Sequence, residues 1–394
     1  MKSDIGEIVA KLPGMKDVGE TVKLAERRLE AGDAAFVADL GIALSKRYGG
    51  QGGRMWQYRS LFDGILRLLT LTPGRENIEQ GLRLVAAMVP AARDHSRYAA
   101  SLLASSHPPQ DLEVAFTGGL SHARASEELR ACLVHELVLR GVNVTGMPGL
   151  ARWAASPHWS HHPLRRLPLS LSAIEEAPAL PNYHFRGGSW VLPGAPSGGA
   201  QTDPDGTQTE PDGTQTAPDG AARIPMVRET TTDAAAAALA GAVANWVEES
   251  NGTVEAKTFD LDGPVALEAV PRTLACLGLK SLHGLESANR PVISRCSPEY
   301  AWRLLFSAAS TGGAYNHGLC GAYGRLAAWQ SLGELSGAPA WASVAEVEQR
   351  VRACHWFSFG GATAWFQQVA WDIGLAAVGS ERRRLAVLAA TDTD

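Results

Sequence analysis

A low-complexity segment in the middle of the sequence constrains the fold more than any other feature. Residues 201–220 read QTDPDGTQTEPDGTQTAPDG, in which Pro-Asp-Gly returns every seven residues. Successive Pro-Asp-Gly triplets favour turns and a linker, because the repeats supply no run of apolar side chains for a core. We therefore expect a chain of two parts, residues 1–160 and 226–394, joined by a Pro/Gly-rich connector over residues 161–225.

The aspartates of the repeat leave a second interpretation open, a calcium-binding loop. Ca²⁺ binds carboxylate and carbonyl oxygens, and an EF-hand type of loop closes on a bidentate glutamate. No such glutamate closes the repeats, and the periods lack the apolar residue on which successive coils would stack. A calcium site would have to be built from turns alone, so the linker is the favoured interpretation.

Apolar side chains recur at helical spacing through the first part of the chain. Val18, Val22, Ala25 and Leu29 share one face of a helix, and turn signals separate further segments of this kind. Additional helices are predicted at 55–70, 75–89, 93–104 and 126–139. Residues 1–160 are therefore predicted to form stacked helical hairpins, similar to an irregular helical repeat.

The second part mixes helix and strand signals. Thr232-Asp233 begins an alanine-rich helix predicted to reach Trp246 or Val247, and the alternating run TVEAKTFDL at 253–261 predicts a strand. Further helices are predicted at 298–306, 323–335, from the Ser343 capping box and at 362–378, with short strands at 355–359 and 384–390. The fold class is mainly α and α+β overall: the N-terminal hairpins pack on a C-terminal helical part with a small β-sheet.

The net charge and the number of cysteines limit the classes of binding partner and the cellular location that we expect. The net charge is −5, so neither a nucleic acid nor a membrane surface is indicated as a partner. Cysteines occur at five scattered positions without a C-x-x-C pair, which argues against a disulfide framework and a zinc ribbon. No stretch reaches the ~18 apolar residues of a membrane span, and acidic residues interrupt the N-terminus MKSDIGEIVAKLPGMKD. We expect a cytoplasmic protein.

The run PHWSHHPL holds the densest group of candidate metal ligands. His158 and His161 are three residues apart, so one helical turn would place both on one face, with His162 beside them. Pro157 and Pro163 bracket the run, and no carboxylate or cysteine follows at ligand spacing. A polar loop is the alternative to a zinc site, and no motif in the sequence indicates a cofactor.

A glycine-rich run, TGGAYNHGLCGAYGRLAAW at 311–329, leads into a predicted helix. Bare backbone N–H groups at Gly312 and Gly313, together with the positive end of the helix, suit an anion, and Arg325 would add a bidentate contact. The run is neither a P-loop nor a G-x-G-x-x-G turn after a strand. Tight packing of the glycines is the alternative interpretation.

The same run supplies candidates for catalysis. Cys320 would be a nucleophile if a histidine could serve as its base, although cysteine is also among the residue types most often buried. The candidates for proton transfer are Tyr315, His317 and Tyr323, and the residues that would support them are His355 and Asp372. Spacing alone does not decide between catalysis and burial.

Several motifs resemble one family of proteins. They are NWVEESNGTVEAKTFDL, SPEYAWRLLFSAASTGGAYNHGLCGAYGRLAAWQSL and the ending WFQQVAWDIGLAAV with RRLAVLAATDTD. These residues, chiefly within 226–394, resemble an uncharacterised family of actinobacterial proteins without an assigned activity. HPLRRLPLSL at 162–171 is similar to a segment of the same family, which would put both parts in one architecture with the repeats as an inserted loop.

Two functions are predicted. The first is a binding or interaction protein that recognises a protein or small-molecule partner in the groove between the helical array and the C-terminal part. The alternative is an enzyme of a secondary-metabolic pathway that acts on an anionic small molecule at residues 311–325.

Overall fold

The computed structural model describes most of the chain and divides it into two compact units. The described residues are 2–51, 55–88, 93–117, 126–175, 178–184, 187–189, 224–283, 292–314, 318–361, 363, 365–366 and 371–392. The helical unit comprises Met1–Ser172, Ala177–Val191 and Leu319–Leu326, and the sheet unit comprises Ala173–Glu176, Leu192–Gly318 and Ala327–Asp394. The predicted linker at 201–220 lies outside the described residues. The boundaries 1–160, 161–225 and 226–394 stay a prediction.

The fold class is confirmed as mainly α and α+β, with one small antiparallel sheet of six strands. The helical unit contains α1 (Lys2–Lys11), α2 (Gly19–Glu30), α3 (Ala34–Tyr48), α4 (Trp56–Leu71), α5 (Arg75–Ala86), α6 (Arg93–Ser106), α7 (Pro109–Leu112), α8 (Val114–Thr117), α9 (Glu127–Leu139), α10 (Pro148–Ala154) and α11 (Pro157–Ser160), and a small hairpin of β1 (Asn182–His184) and β2 (Gly187–Ser189). The predicted helices of this part are confirmed, whereas their repeat character stays a prediction.

Helix α9 is buried along most of its length. The Ser126 hydroxyl caps it by accepting the N–H of Leu129 at 3.1 Å. Its sequence EELRACLVHELVL has no polar face, because the polar side chains Arg130, His135 and Glu136 are buried together with the leucines and valines. Buried polar side chains need hydrogen-bond partners, and Arg130, His135 and Glu136 each have one.

The sheet unit contains most of the strands. Its elements are β3 (Val227–Glu229), α12 (Asp233–Leu239), α13 (Ala244–Glu249), β4 (Thr253–Leu261), α14 (Val270–Ala275), β5 (Val292–Cys296), α15 (Pro298–Thr311), the part of α16 (Cys320–Leu335) that begins at Ala327, α17 (Val344–Ala353), β6 (His355–Gly360), β7 (Trp371–Val378) and β8 (Arg384–Asp392). The boundary between the two units falls within α16. The strand predicted at 253–261 and the Ser343 capping box are confirmed.

The antiparallel sheet has the strand order β3-β4-β8-β7-β6-β5. Phe259, Leu385 and Val378 are direct partners on three neighbouring strands and share one face. That face carries a core that also includes Val265 and Leu274 from the segment after β4. The burial of each such side chain contributes about 1.5–3 kcal/mol to stability. This burial stabilises the packing of the segment after β4 against the sheet.

Two predicted helices are wrong in part. The helix predicted at 362–378 is a strand at Trp371–Val378, because β7 pairs with β6 and β8 and is buried on both faces, so that it lacks the alternation of a surface strand. A Cβ on Gly374 would lie 2.2 Å from the Phe359 carbonyl oxygen, so this strand requires a glycine there. The alanine-rich helix breaks at the 3₁₀ turn Ala240–Ala242 instead of running to Trp246 unbroken.

No described helix combines the length and the apolar character that crossing a membrane would require.

Candidate functional site

The glycine-rich run binds a carboxylate of its own chain. Gly312 ends α15 with φ +82°, in the left-handed region that favours glycine. The backbone N–H of Ala314 donates to Oδ2 of the buried Asp392 at 2.6 Å, and the Ser250 hydroxyl donates to Oδ1 at 2.8 Å. A Cβ on Gly313 would lie 1.9 Å from Asp392 Oδ2. An external anion would have to replace this carboxylate.

Two of the predicted catalytic residues, Tyr315 and His317, lie outside the described residues. His355 and Asp372 are described, and the structure does not bring them together. His355 pairs with Val378 at one end of β7, whereas Asp372 is six residues further along the strand and pairs with Thr391. At the rise of a β-strand, this separation is about 20 Å.

Arg325 is fully buried and holds an irregular segment of the backbone. Its guanidinium donates to the carbonyl oxygens of Pro168 and Ser170 at 2.9 Å each, and to His135 Nδ1 at 2.9 Å. These contacts fix the segment 162–170, which follows α11 and has little regular secondary structure. The predicted anion-binding role of Arg325 stays a prediction and would require the loss of these bonds.

His135 completes the attachment of this segment. Its Nε2 donates to the Leu164 carbonyl oxygen at 2.9 Å, so Nδ1 is the acceptor that meets Arg325. Burial, reinforced by the nearby Arg325 cation, lowers the pKa of His135 to about 3. The imidazole is therefore neutral at physiological pH, as the hydrogen-bond pattern requires.

Glu128 at the start of α9 brings two predicted residues together. Its carboxylate accepts hydrogen bonds from Arg97 Nε at 3.2 Å, from His162 Nε2 at 3.2 Å and from the Tyr323 hydroxyl at 3.3 Å. Burial raises the pKa of Glu128, but the bonds from His162 and Arg97 outweigh burial and hold the pKa below its usual value. We call Glu128, Arg97, His162 and Tyr323 the Glu128 cluster.

His162 contributes to the cluster as a donor. Its Nδ1 accepts the backbone N–H of Leu164 at 3.3 Å, which leaves the proton on Nε2 for Glu128. The ring stacks on Trp159 with centroids 6.2 Å apart and an interplanar angle of 12°. Both ring nitrogens of His162 are therefore engaged within the chain.

Arg97 and Tyr323 form the second half of the cluster. The guanidinium carbon of Arg97 lies 3.8 Å from the centre of the Tyr323 ring, a cation–π contact. Burial, and next the charge of Glu128, raise the pKa of Tyr323, so the phenol stays protonated and donates to the carboxylate. The predicted role of Tyr323 in proton handling stays a prediction.

Glu136 caps the start of α16, next to Cys320. It accepts the backbone N–H of Ala322 at 3.2 Å and is held by Arg140 at 2.7 Å. Cys320 has a positive φ of 59°, a strained conformation for a residue with a side chain. Burial first, and Glu136 second, raise the pKa of Cys320, so its sulfur is a neutral thiol and not the thiolate that a nucleophile needs.

The predicted metal ligands point to different partners. His161 Nδ1 lies 2.9 Å from the Pro157 carbonyl oxygen and 3.0 Å from the Ser160 hydroxyl, and His158 is exposed on α11. His162 turns to the Glu128 cluster. Among the described residues, no group of three or more His, Cys, Asp or Glu side chains is placed to hold a metal ion.

Helix α16 ends in the sheet unit with a rigid cap. Gly337 has φ +72°, its N–H donates to the Glu334 carbonyl at 3.0 Å, and the N–H of Ala338 donates to the Gly333 carbonyl at 2.8 Å. This pair of bonds is a Schellman motif. Arg384 of β8 donates to the Glu334 carbonyl at 2.8 Å, which adds a positive charge at the negative end of the helix.

The residues that follow present a tryptophan to the solvent. We call residues 336–343 the Trp341 connector. A turn closes it, with the N–H of Ala342 bonded to the Pro339 carbonyl at 2.9 Å, and the capping box of α17 begins at Ser343. Trp341 itself is 87% exposed. No sequence signal distinguished this tryptophan from the core tryptophans around it.

The structure and the site thus define a mainly α protein with a six-stranded antiparallel sheet and a polar cluster on its helical unit. The chain belongs to the family of unknown function DUF6183, whose model matches residues 19–394. This confirms the resemblance to an uncharacterised family, whereas the actinobacterial origin stays a prediction. No curated protein and no solved structure matches the chain.

Proposed function

We propose that this protein is a binding protein that recognises a protein partner through the Trp341 connector. The observation that carries the proposal is the 87% exposure of Trp341 on a loop fixed at both ends. Tryptophan is enriched among the residues that dominate binding energy at interfaces, because its large ring buries much apolar area with few rotatable bonds.

The rigidity of the connector supports the proposal. Its backbone is bonded into a Schellman motif on one side and a capping box on the other. A partner therefore does not have to order this loop when it binds, and the entropy lost on association is smaller. A preordered anchor of this kind favours recognition of a complementary pocket.

The surroundings of Trp341 suit a protein partner. Ser343, Ala345 and Glu346, which follow Trp341 in sequence on the connector and on α17, are exposed. An apolar centre with a polar rim is the usual composition of a protein–protein interface. The partner predicted by this composition offers an apolar pocket for the indole with polar groups around it.

The groove between the two parts of the chain and the enzyme alternative both stay predictions. The Ala314 N–H and the Arg325 guanidinium bond to groups of the chain itself, and the Cys320 thiol is neutral. These observations favour binding at the connector over catalysis at residues 311–325.

The test compares two exposed tryptophans. The protein and its Trp341→Ala and Trp56→Ala variants are purified from the host and examined by native mass spectrometry, with small-molecule and metal analysis of the same samples. Trp56 is the matched control, since it is 46% exposed at the start of α4. We expect a stoichiometric protein partner with the parent and with Trp56→Ala, and an affinity at least about 30-fold weaker with Trp341→Ala.

Two results would contradict the proposal. One is a partner that binds the Trp341→Ala variant as tightly as it binds the parent. The other is a parent protein that carries a small molecule or metal but no protein partner.

A further inference from the structure

Arg97 is held in one orientation by contacts that leave its outer nitrogens unused. Its Nε donates to Glu128 at 3.2 Å, and its guanidinium carbon lies 3.8 Å from the centre of the Tyr323 ring. A hydrogen bond at Nε and an aromatic ring against one face together fix both the position and the plane of a guanidinium. The end of the guanidinium opposite Nε then offers one N–H from each terminal nitrogen, and these two N–H groups form a fork.

Those terminal nitrogens make no hydrogen bond to any residue in the described part of the chain. Asp94 Oδ1 lies 3.7 Å from Nη1, beyond hydrogen-bond distance, and the Asp94 side chain is 86% exposed. The Arg97 side chain is only 16% exposed. Most of the side chain is therefore buried, but neither terminal nitrogen is sealed from solvent in the described part of the chain, so a dissolved anion can reach both.

We propose that Arg97 is a binding site for a small oxyanion, a phosphate or carboxylate group, which its two terminal nitrogens hold in a bidentate contact. The planar fork of arginine matches two oxygens of such a group, whereas a single halide ion matches only one donor. The proposal is independent of the Trp341 connector, which belongs to the other unit.

The charges around Arg97 set the expected strength of this contact. Glu128 is the direct counter-ion of Arg97, but its carboxylate also accepts hydrogen bonds from His162 and Tyr323. The hydrogen bonds from His162 and Tyr323 do not cancel this charge, so Glu128 balances the charge of Arg97, and the affinity for a second anion rests on the two N–H groups of the fork. The exposed carboxylate of Asp94 competes for the same nitrogens and repels an incoming oxyanion.

The experiment titrates the full chain with inorganic phosphate, with acetate and with chloride at constant ionic strength, which keeps screening equal in the three series. The readout is the side-chain Nε–H resonance of Arg97 in ¹⁵N spectra, identified by its absence in Arg97→Lys. Phosphate and acetate are expected to shift the resonance saturably and chloride is not. The tighter of the two identifies the anion class.

Two variants decide the outcome. Arg97→Lys, followed by isothermal titration calorimetry, is expected to bind the preferred oxyanion at least about 10-fold more weakly, because an ammonium group cannot make the bidentate contact. Asp94→Asn is expected to bind it about 3-fold more tightly, since an exposed competing charge is removed.

Asp94→Asn keeps the test decisive if Arg97→Lys fails to fold, because Asp94 is on the surface. Unchanged affinity in Asp94→Asn would then overturn the proposal, as would equal responses to chloride and phosphate, or an Arg97→Lys variant that folds and binds like the parent.

Discussion

The strands of the antiparallel sheet and the irregular segment 162–170 of the helical unit satisfy their backbone polar groups by different means. In the sheet unit, the strands β4, β8, β7 and β6 bond to one another along the backbone, so the side chains of the core are free to be apolar. In the helical unit, the irregular segment 162–170 pairs with no strand among the described residues, and Arg325 and His135 supply donors for three of its carbonyl groups.

The difference shows why polar side chains concentrate where regular structure ends. A buried carbonyl without a partner costs about 1–3 kcal/mol. The segment 162–170 has three carbonyls held by side chains, at Leu164, Pro168 and Ser170. Loss of Arg325 should therefore be felt in this segment, whereas loss of an apolar side chain in the sheet should be felt through packing.

The largest effect is expected for Arg325→Met. The substitution keeps much of the side-chain volume but removes the donors to Pro168 and Ser170, so we expect destabilisation by about 4 kcal/mol. Urea denaturation measures the loss, and hydrogen exchange should show faster exchange within 162–170. Arg166→Met, at an exposed position in the same segment, is the control and should change stability by less than about 0.5 kcal/mol.

Leu388→Ala tests the contribution of apolar packing to the stability of the sheet. Leu388 is fully buried in β8, and its truncation leaves a cavity, so we expect destabilisation by about 3 kcal/mol. Hydrogen exchange should rise in the strands of the sheet. If exchange in the segment 162–170 rose as much as in the sheet, the two units would not differ in the way proposed. Val292→Ala, at an exposed strand position, is the matched control.

The smallest effect is a pH dependence that arises from His135. Its pKa is about 3 in the folded protein, against an ordinary value of 6.5. The unfolded chain therefore binds a proton below pH 6.5 that the folded chain does not, and stability falls as the pH decreases, by up to about 1.4 kcal/mol per unit.

Denaturation at pH 6.5 and 5.5 measures this slope. His107, whose pKa burial also lowers, contributes with the same sign, so the parent must be compared with a His135→Gln variant. We expect a shallower slope in the variant. Equal slopes would show that His135 is not the group that takes up the proton.

Local signals in the sequence predicted individual elements well. The capping residue Ser343 and the alternating run at 253–261 involve only neighbours along the chain, and both are confirmed. The strand β7 was mistaken for a helix because a central strand buried on both faces has no period of two to recognise. The prediction is wrong where an element depends on pairing with strands that are distant in sequence, as β7 does.

The same limit applies to the Glu128 cluster. The sequence indicates His162 as a candidate metal ligand and Tyr323 as a candidate for catalysis, but nothing in it connects the two. Their shared partner Glu128 is 34 residues from His162 and 195 residues from Tyr323, and no spacing rule links such positions. Arg97 and Glu128 themselves carried no signal beyond that of charged residues on predicted helices.

The bond between Asp392 and the glycine-rich run has a consequence for competition. Because Asp392 is anchored in β8, its carboxylate stands at the Ala314 N–H at an effective concentration far above that of any free anion. A dissolved phosphate could bind this loop only by displacing the Asp392 carboxylate, which belongs to the same chain. The Ala314 N–H is therefore already occupied by a carboxylate of the chain, and an anion in solution would bind there only by displacing it.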